Sequence, residues 1–295
     1  MPADKSANEP IDDSSAPLIE HLAELRTRLI WSVLAFVVAM LFSFVFGDQL
    51  LDFLLMPIEQ TMRALGNPNP VMQYTAPQEY FFTLVRIAMV GGFVLAFPII
   101  AYQLWRFVAP GLYRNERGAF LPFLIASPVL FLLGAAFAHF VVVPLAMGFF
   151  LGFADLPSLV TAYFAQGADV PLAAVAEDQG ISIVFNGKVN ETLDITLKMI
   201  IAFGLTFQLP VLLTLMGKAG LVSAKGLRGG RKWAIVGILT LAALVTPPDV
   251  VTQVILFTVV YGLYEISIFL VASVERKRIA QLKAEGLYDE DDEDL

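Results

Sequence analysis

Long apolar stretches alternate with short polar ones along this chain. The pattern predicts six membrane-spanning helices, at about 29–47, 80–106, 119–151, 193–217, 232–246 and 250–273. Several of these runs reach the ~20 residues that carry a helix across a bilayer. The fifth has only about 15 residues, roughly 22 Å of helix against a hydrocarbon core of about 30 Å. Only Thr-Pro-Pro-Asp at 246–249 separates it from the sixth, which leaves room for a tight turn. The last two spans are therefore expected to be a short pair that thins the bilayer or hides against other helices. Pro122, Pro128 and Pro144 interrupt the third run. Pro98, Pro210, Gly91, Gly92 and Gly204 predict kinked or closely packed helices elsewhere.

The longest connection, about 152–192, lies between spans three and four. It contains "ISIVFNGKVNETL", an apolar alternation, an Asn-Gly turn and a second short run. That pattern predicts a small β-hairpin insert on the outer face. Residues 1–17 are polar and read as a disordered tail. They lack the basic stretch and cleavage site of a signal peptide, so the first span is expected to stay in the mature protein. Residues 274–295 form a charged cytoplasmic tail, and residues 18–273 form the six-span domain. The fold class is all-α polytopic membrane protein.

Composition agrees with this reading. Hydrophobic residues make up 57% of the 295 and charged residues 16%, against roughly 25% charged in soluble domains. The net charge of −8 is misleading, because six acids crowd the last nine residues, "LYDEDDEDL". Basic residues set the orientation. With both termini inside, cytoplasmic segments hold fifteen of the nineteen lysines and arginines, and outer loops hold only Arg63 and Lys188. Arg86 and Lys198 fall near the outer ends of spans two and four, where they can snorkel. The expected location is thus a multi-pass place in the cytoplasmic (inner) membrane, N-in and C-in. No internal repeat of the kind found in inverted-repeat transporters is visible. The absence of cysteine excludes disulfides and thiol chemistry. Two isolated histidines, His21 and His139, leave no metal site and no cofactor to expect.

Few residues are left to carry chemistry. On a helix leading into span one, His21, Glu24 and Arg28 share one face, while Leu18, Leu22, Leu25 and Leu29 share another. The plain reading of Glu24 and Arg28 is an i,i+4 pair worth a few tenths of a kcal/mol. Glu116, between Arg114 and Arg117, is the only acid between spans two and three, and its plain reading is a solvated loop carboxylate. Taken together, Glu24 and Glu116 form a cytoplasmic acidic patch suited to guanidinium groups, which carboxylates bind bidentately. Glu265 is the one acid well inside a span, a functional candidate or an interhelical hydrogen-bonding group. Gln208 is the polar group of span four, and a buried Gln there is usually interhelical glue. Asp249 is placed to N-cap span six. No nucleophile–base pair or phosphate loop is present, so no enzymatic site emerges.

Four stretches carry a resemblance: "HLAELRTRL" (21–29), "FPIIAYQLWRFVAPGLYRNER" (97–117), "AFGLTFQLPV" (202–211) and "TPPDVVTQ" (246–253). Together, in this order, they resemble the TatC family, the multispan receptor of the twin-arginine protein translocase. The resemblance implies a chain that binds signal peptides carrying an arginine pair. It also implies recruitment of single-span TatA and TatB partners, further TatC copies in the assembly, and export of folded proteins driven by the proton-motive force. The family's signal-peptide carboxylates match Glu24 and Glu116, with Arg26 and Arg28 orienting the patch. A polar position in span four, often Glu in the family, is Gln208 here. The family's partner-helix surface along spans five and six matches Thr246 and Gln253, and the partner-helix set is completed by Gln208. Membrane lipid is the remaining partner, and no nucleic acid is implied. The loop at 152–192 is longer than is usual in the family. The competing reading is a proton- or ion-coupled small-molecule transporter with Glu265 as coupling group, which would need its site near the membrane midplane.

Overall fold

The computed structural model describes residues 15–112, 121–153, 186–246 and 250–284. The protein is helical, with helices α1 (Ser15–Val45), α2 (Gly47–Ala64), α3 (Glu79–Leu112), α4 (Leu121–Phe137) and α5 (Val143–Phe153) in its first half. The second half contributes α6 (Val189–Thr206), α7 (Leu209–Lys218), α8 (Ala224–Gly229), α9 (Arg231–Val245) and α10 (Val250–Ala284). Among the described residues, five stretches are long and apolar enough to cross a membrane: His21–Val45, Glu79–Phe107, Pro122–Phe153, Val189–Lys218 and Val250–Ala280. The chain is therefore a multi-pass membrane protein.

The amphipathic stretch before span one is not separate from it. Ser15–Val45 forms one helix, because nothing between Leu18 and Val45 breaks the 3.6-residue pattern. It packs along α3, and the approach is set by Gly92: a Cβ there would lie 2.6 Å from the Met40 Cα. Right after α1 the chain turns into α2, a helix the span pattern does not predict. Its apolar residues Leu51, Leu54, Ile58 and Met62 are buried, with Asp48 before them and Asp52 and Glu59 between them. That spacing is an amphipathic signature, but it is too polar to register as a span.

Prolines act at two places. Between α4 and α5 the chain forms a π turn, Ala138–Val142, just before Pro144. The wider turn accommodates the carbonyls that Pro144 cannot serve. Between α6 and α7, Phe207 and Gln208 leave the helix and Pro210 sits in the first turn of α7, where its missing N–H costs nothing. Pro98 does not interrupt α3.

Two expectations are corrected. The sixth span is not short. α10 runs 35 residues and continues as helix through Glu275–Lys283, past the predicted start of the tail. Only α9 is short, at 15 residues. The second arm of the expected hairpin is a strand only at its start. Gly187–Lys188 pairs in parallel with Met72–Gln73, and Val189 begins α6. The helix wins because Val189, Leu193, Leu197 and Ile200 recur at helical spacing and are all buried. The first arm, 181–185, and Asp249 lie outside the described residues.

The main core joins α2, α4, the π turn, α5, α6, α9 and α10 around Ile58, Val142, Phe203, Leu256 and Val260. A second cluster, Phe97, Ala101, Trp105, Phe131, Val211 and Leu215, ties α3 to α4 and α7, with the Phe97 and Phe131 rings stacked at 3.8 Å.

Candidate functional site

α1 and α3 bring the predicted acidic helix against the end of span two. His21 stacks on Phe107, with ring centroids 4.3 Å apart and 21° between planes. One turn further along α1, Arg28 Nε donates to Glu24 Oε1 at 3.0 Å, and a second guanidinium nitrogen donates to the same oxygen. The spacing makes this pair inevitable on a helix, since residues four apart are neighbours. The burial is less ordinary. The Arg28 side chain is 14% exposed and that of Glu24 36%. The arginine is covered and holds the carboxylate from behind, by one oxygen only. Arg28 leaves Oε2 unengaged at the rim.

Across from this rim, α3 contributes Arg106, whose guanidinium donates to the Tyr102 hydroxyl at 3.0 Å and lies 5.8 Å from that ring. Tyr102, Arg106 and Phe107 were not singled out from the sequence. The signal was present in "YQLWRF", where aromatic and basic residues mix at the end of an apolar run. Arg26 is exposed, so of the two arginines only Arg28 takes part in the pair. Glu116 lies outside the described residues.

The polar residues of the later spans have separate places. Gln208 is half-buried at the α6–α7 break. Its Nε2 donates to the Ser127 carbonyl at 2.9 Å, and the Ser127 hydroxyl donates back to Gln208 Oε1 at 2.5 Å. The break between α6 and α7 thus frees a side chain to grip α4. Bonds of this kind in membranes are worth about 0.6 kcal/mol on average and up to roughly 1.7. Ser127→Ala and Gln208→Leu should each lower stability by that order. The double mutant should lose less than the sum of the singles, because they share one interaction. Thermal unfolding of the four proteins in one detergent checks this; strict additivity would show the pair uncoupled.

Glu265 does not stand alone in its span. Arg231, the first residue of α9, donates to it through two nitrogens at 2.8 and 2.7 Å. This fork-to-fork pair ties α10 to the start of α9. Nearby, the Tyr264 hydroxyl donates to the Leu227 carbonyl at 2.7 Å. Glu275 accepts from the Ala224 N–H at 2.9 Å at the start of α8. Thr246 is buried at 6% exposure, and its hydroxyl donates to the Ala242 carbonyl of its own helix at 2.8 Å. Gln253 is half-buried on α10. Gln208, Thr246 and Gln253 therefore do not converge: one grips α4, one caps α9, and one sits in the first turn of α10.

Comparison with known proteins agrees with this arrangement of helices. Residues 20–258 match the family described as Sec-independent protein translocase protein (TatC). The chain is 42% identical over 273 residues to a TatC of Magnetococcus marinus, covering 92% of this chain and 90% of that protein. It is 32% identical over 257 residues to TatC of Escherichia coli strain K12, covering 87% and 88%. In three dimensions it is similar to a crystal structure of the twin arginine translocase receptor TatC, with a TM-score of 0.68 and 34% identity over 86% of this chain and 99% of that one. With its family match spanning the helices from α1 into α10, the chain belongs to the TatC family of Sec-independent protein translocase proteins.

Proposed function

We propose that this chain is the receptor of a twin-arginine translocase and that Glu24, together with Glu116, receives the arginine pair of a signal peptide on the cytoplasmic face. The observation that carries this reading is the half-engaged Glu24 carboxylate. Arg28 fixes one oxygen and the helix fixes the direction, so the other oxygen is pre-organised to accept from an incoming guanidinium. A preset acceptor loses little rotamer freedom on binding, which favours affinity. Arg106 on the facing helix raises specificity: a lone cation meets repulsion there, while two adjacent guanidiniums can engage both acids at once. No bond is made or broken in this chemistry, and the chain acts as a translocase component, not an enzyme.

The positive-inside bias supports both termini lying in the cytoplasm, with α9 as a sixth, short crossing. Single-span partners of the TatA and TatB type, and further copies of the chain, would assemble around the bundle, and the proton-motive force would drive export. The test is crosslinking of an arginine-pair signal peptide carrying a photoreactive group to this protein in membranes. Labelling should fall near Glu24 and depend on both arginines. Equal labelling by a peptide with two lysines would overturn the bidentate reading. The two-pronged ion pair of Glu265 with Arg231 supports an interhelical role for that residue over the transporter alternative.

The partner-helix surface is proposed along α9 and α10, at Gln253. Thr246 contributes less than its neighbour, since its hydroxyl already serves Ala242. Gln253→Leu should reduce co-purification of a single-span partner several-fold, consistent with one intramembrane hydrogen bond of about 0.6–1.7 kcal/mol. Thr246→Val should change it little, and signal-peptide crosslinking should persist in both. Wild-type partner recovery in Gln253→Leu would place the docking edge elsewhere.

A further inference from the structure

The rim around Glu24 holds a cation to which the arginine-pair reading gives no contact. α1 and α3 run antiparallel, since a Cβ on Gly92 would meet Met40 while His21 stacks on Phe107. That register sets Glu24 and Arg28 level with the Tyr102–Arg106 turn of α3. Arg106 lies close enough there for its charge to act on the Glu24 carboxylate. It is exposed, and one of its N–H groups goes to the neutral Tyr102 hydroxyl at 3.0 Å. Its guanidinium also lies 5.8 Å from the Tyr102 ring. Glu24 is the ion-pair partner of Arg28. Among the described residues, Arg106 has no carboxylate within ion-pair distance. A guanidinium carries five N–H donors, so most of those on Arg106 are left without a partner among the described residues.

Charge counting gives that cation a role. With the peptide's pair seated, the site holds four guanidiniums, those of Arg28, Arg106 and the pair, against the two carboxylates of Glu24 and Glu116. Complementary potentials favour association, and like charges set side by side oppose it. We infer that Arg106 is a specificity determinant: it takes a carboxylate of the signal peptide close to the arginine pair, so the preferred signals carry an Asp or Glu beside their two arginines. The inference rests on the arginine-pair reading and narrows its substrate class. A carboxylate suits this place better than a main-chain carbonyl. It matches the guanidinium fork with two parallel hydrogen bonds and brings the negative charge that the site lacks. The contact with Tyr102, one turn back on the same helix, holds the guanidinium in place, so less freedom is lost on binding. An arginine at the end of a span commonly snorkels to lipid phosphate. Arg106 differs in standing level with Glu24, within reach of its charge.

The test is photocrosslinking of signal peptides to the full chain in membranes, at one low salt concentration, read as the peptide concentration for half-maximal labelling. One peptide set keeps the arginine pair and places Asp, Asn or Lys in turn at each of the two positions before and after it. A second set has glutamines in place of the pair. On the wild type, Asp should bind about two- to fivefold tighter than Asn at one or more positions, the size expected of an exposed ion pair. Lys should bind more weakly than Asn there. Arg106→Gln should erase the difference between Asp and Asn, and Arg106→Lys should keep part of it. Arg106→Glu should reverse the order, so that Lys is preferred, which general damage to the fold cannot produce. Should Arg106→Glu not insert, Arg106→Gln and Arg106→Lys decide. Pair-dependent labelling with no preference for Asp overturns this inference alone. So does a preference that is unchanged in the Arg106 variants, as expected if Arg106 serves only lipid phosphate. Labelling that ignores the loss of the pair overturns the arginine-pair reading, and this inference with it.

Discussion

Glu24→Lys is expected to abolish capture of an arginine-pair peptide while leaving the protein in the membrane. Arg28 engages one oxygen of the wild-type carboxylate, and the second has no partner among the described residues. A charge-assisted hydrogen bond of this kind is stronger than one between neutral groups. Lysine removes that bond and adds repulsion toward both the peptide and Arg28, so crosslinking should fall to background. Glu24→Gln, which keeps an acceptor but no charge, should fall between wild type and Glu24→Lys. Because Glu24 lies beyond the core, protein levels in the membrane should match wild type within error. The measurement is photocrosslinking of the signal peptide as a function of its concentration, at fixed salt, since exposed charge pairs are screened. Wild-type crosslinking in Glu24→Lys would remove this residue from the site.

Gly92→Ala should destabilise the whole bundle at a position far from any charge. A methyl group there would sit 2.6 Å from the Met40 Cα and 2.7 Å from its amide nitrogen. Backbone cannot swing aside as a side chain can, so α1 must move off α3. Overpacking of this kind costs typically about 1–3 kcal/mol. The control is Gly148→Ala on α5, where the nearest atom, of Thr61, lies at 3.9 Å. There alanine should be neutral, or stabilising by up to about 0.5–1 kcal/mol through its better helix propensity. The same chemical change is thus expected to act with opposite sign at two helical glycines. Thermal unfolding in detergent reads the difference directly. Gly92→Ala should also weaken signal-peptide crosslinking, because α1 carries Glu24 and α3 carries the facing Arg106 and Phe107. Equal melting temperatures for Gly92→Ala and Gly148→Ala would show that α1 and α3 are free to separate at this crossing.

Long-range apolar pattern and the i,i+4 geometry of a helix are local properties, and they were legible without a structure. Five long spans fell where the apolar runs lie, because hydrocarbon leaves helix as the only open solution for an isolated segment. The Glu24–Arg28 pair followed from spacing alone, and the interhelical bonding of Gln208 from its being the polar group of an apolar span. α2 was missed although its apolar residues recur at helical spacing, because a search for spans passes over a helix with acids on its other face. The second arm of the hairpin read on "ISIVFNGKVNETL" gave way to helix for a related reason. An Asn-Gly turn is a local signal, and the burial of Val189, Leu193 and Leu197 against the bundle overrode it.

What only the tertiary structure decided is which polar groups are still available. Sequence places Glu265 inside a span but does not reveal that Arg231, 34 positions earlier, spends its charge. It offers Thr246 as a polar edge residue, and the fold buries it. It treats His139 as an isolated residue, and the fold sets it with Ser43 at one cavity, both without partners among the described residues. The physical reason is common to all of these. A hydrogen bond or an ion pair in an apolar medium is a property of two groups at one distance, and distances between helices arise from packing, not from spacing along the chain.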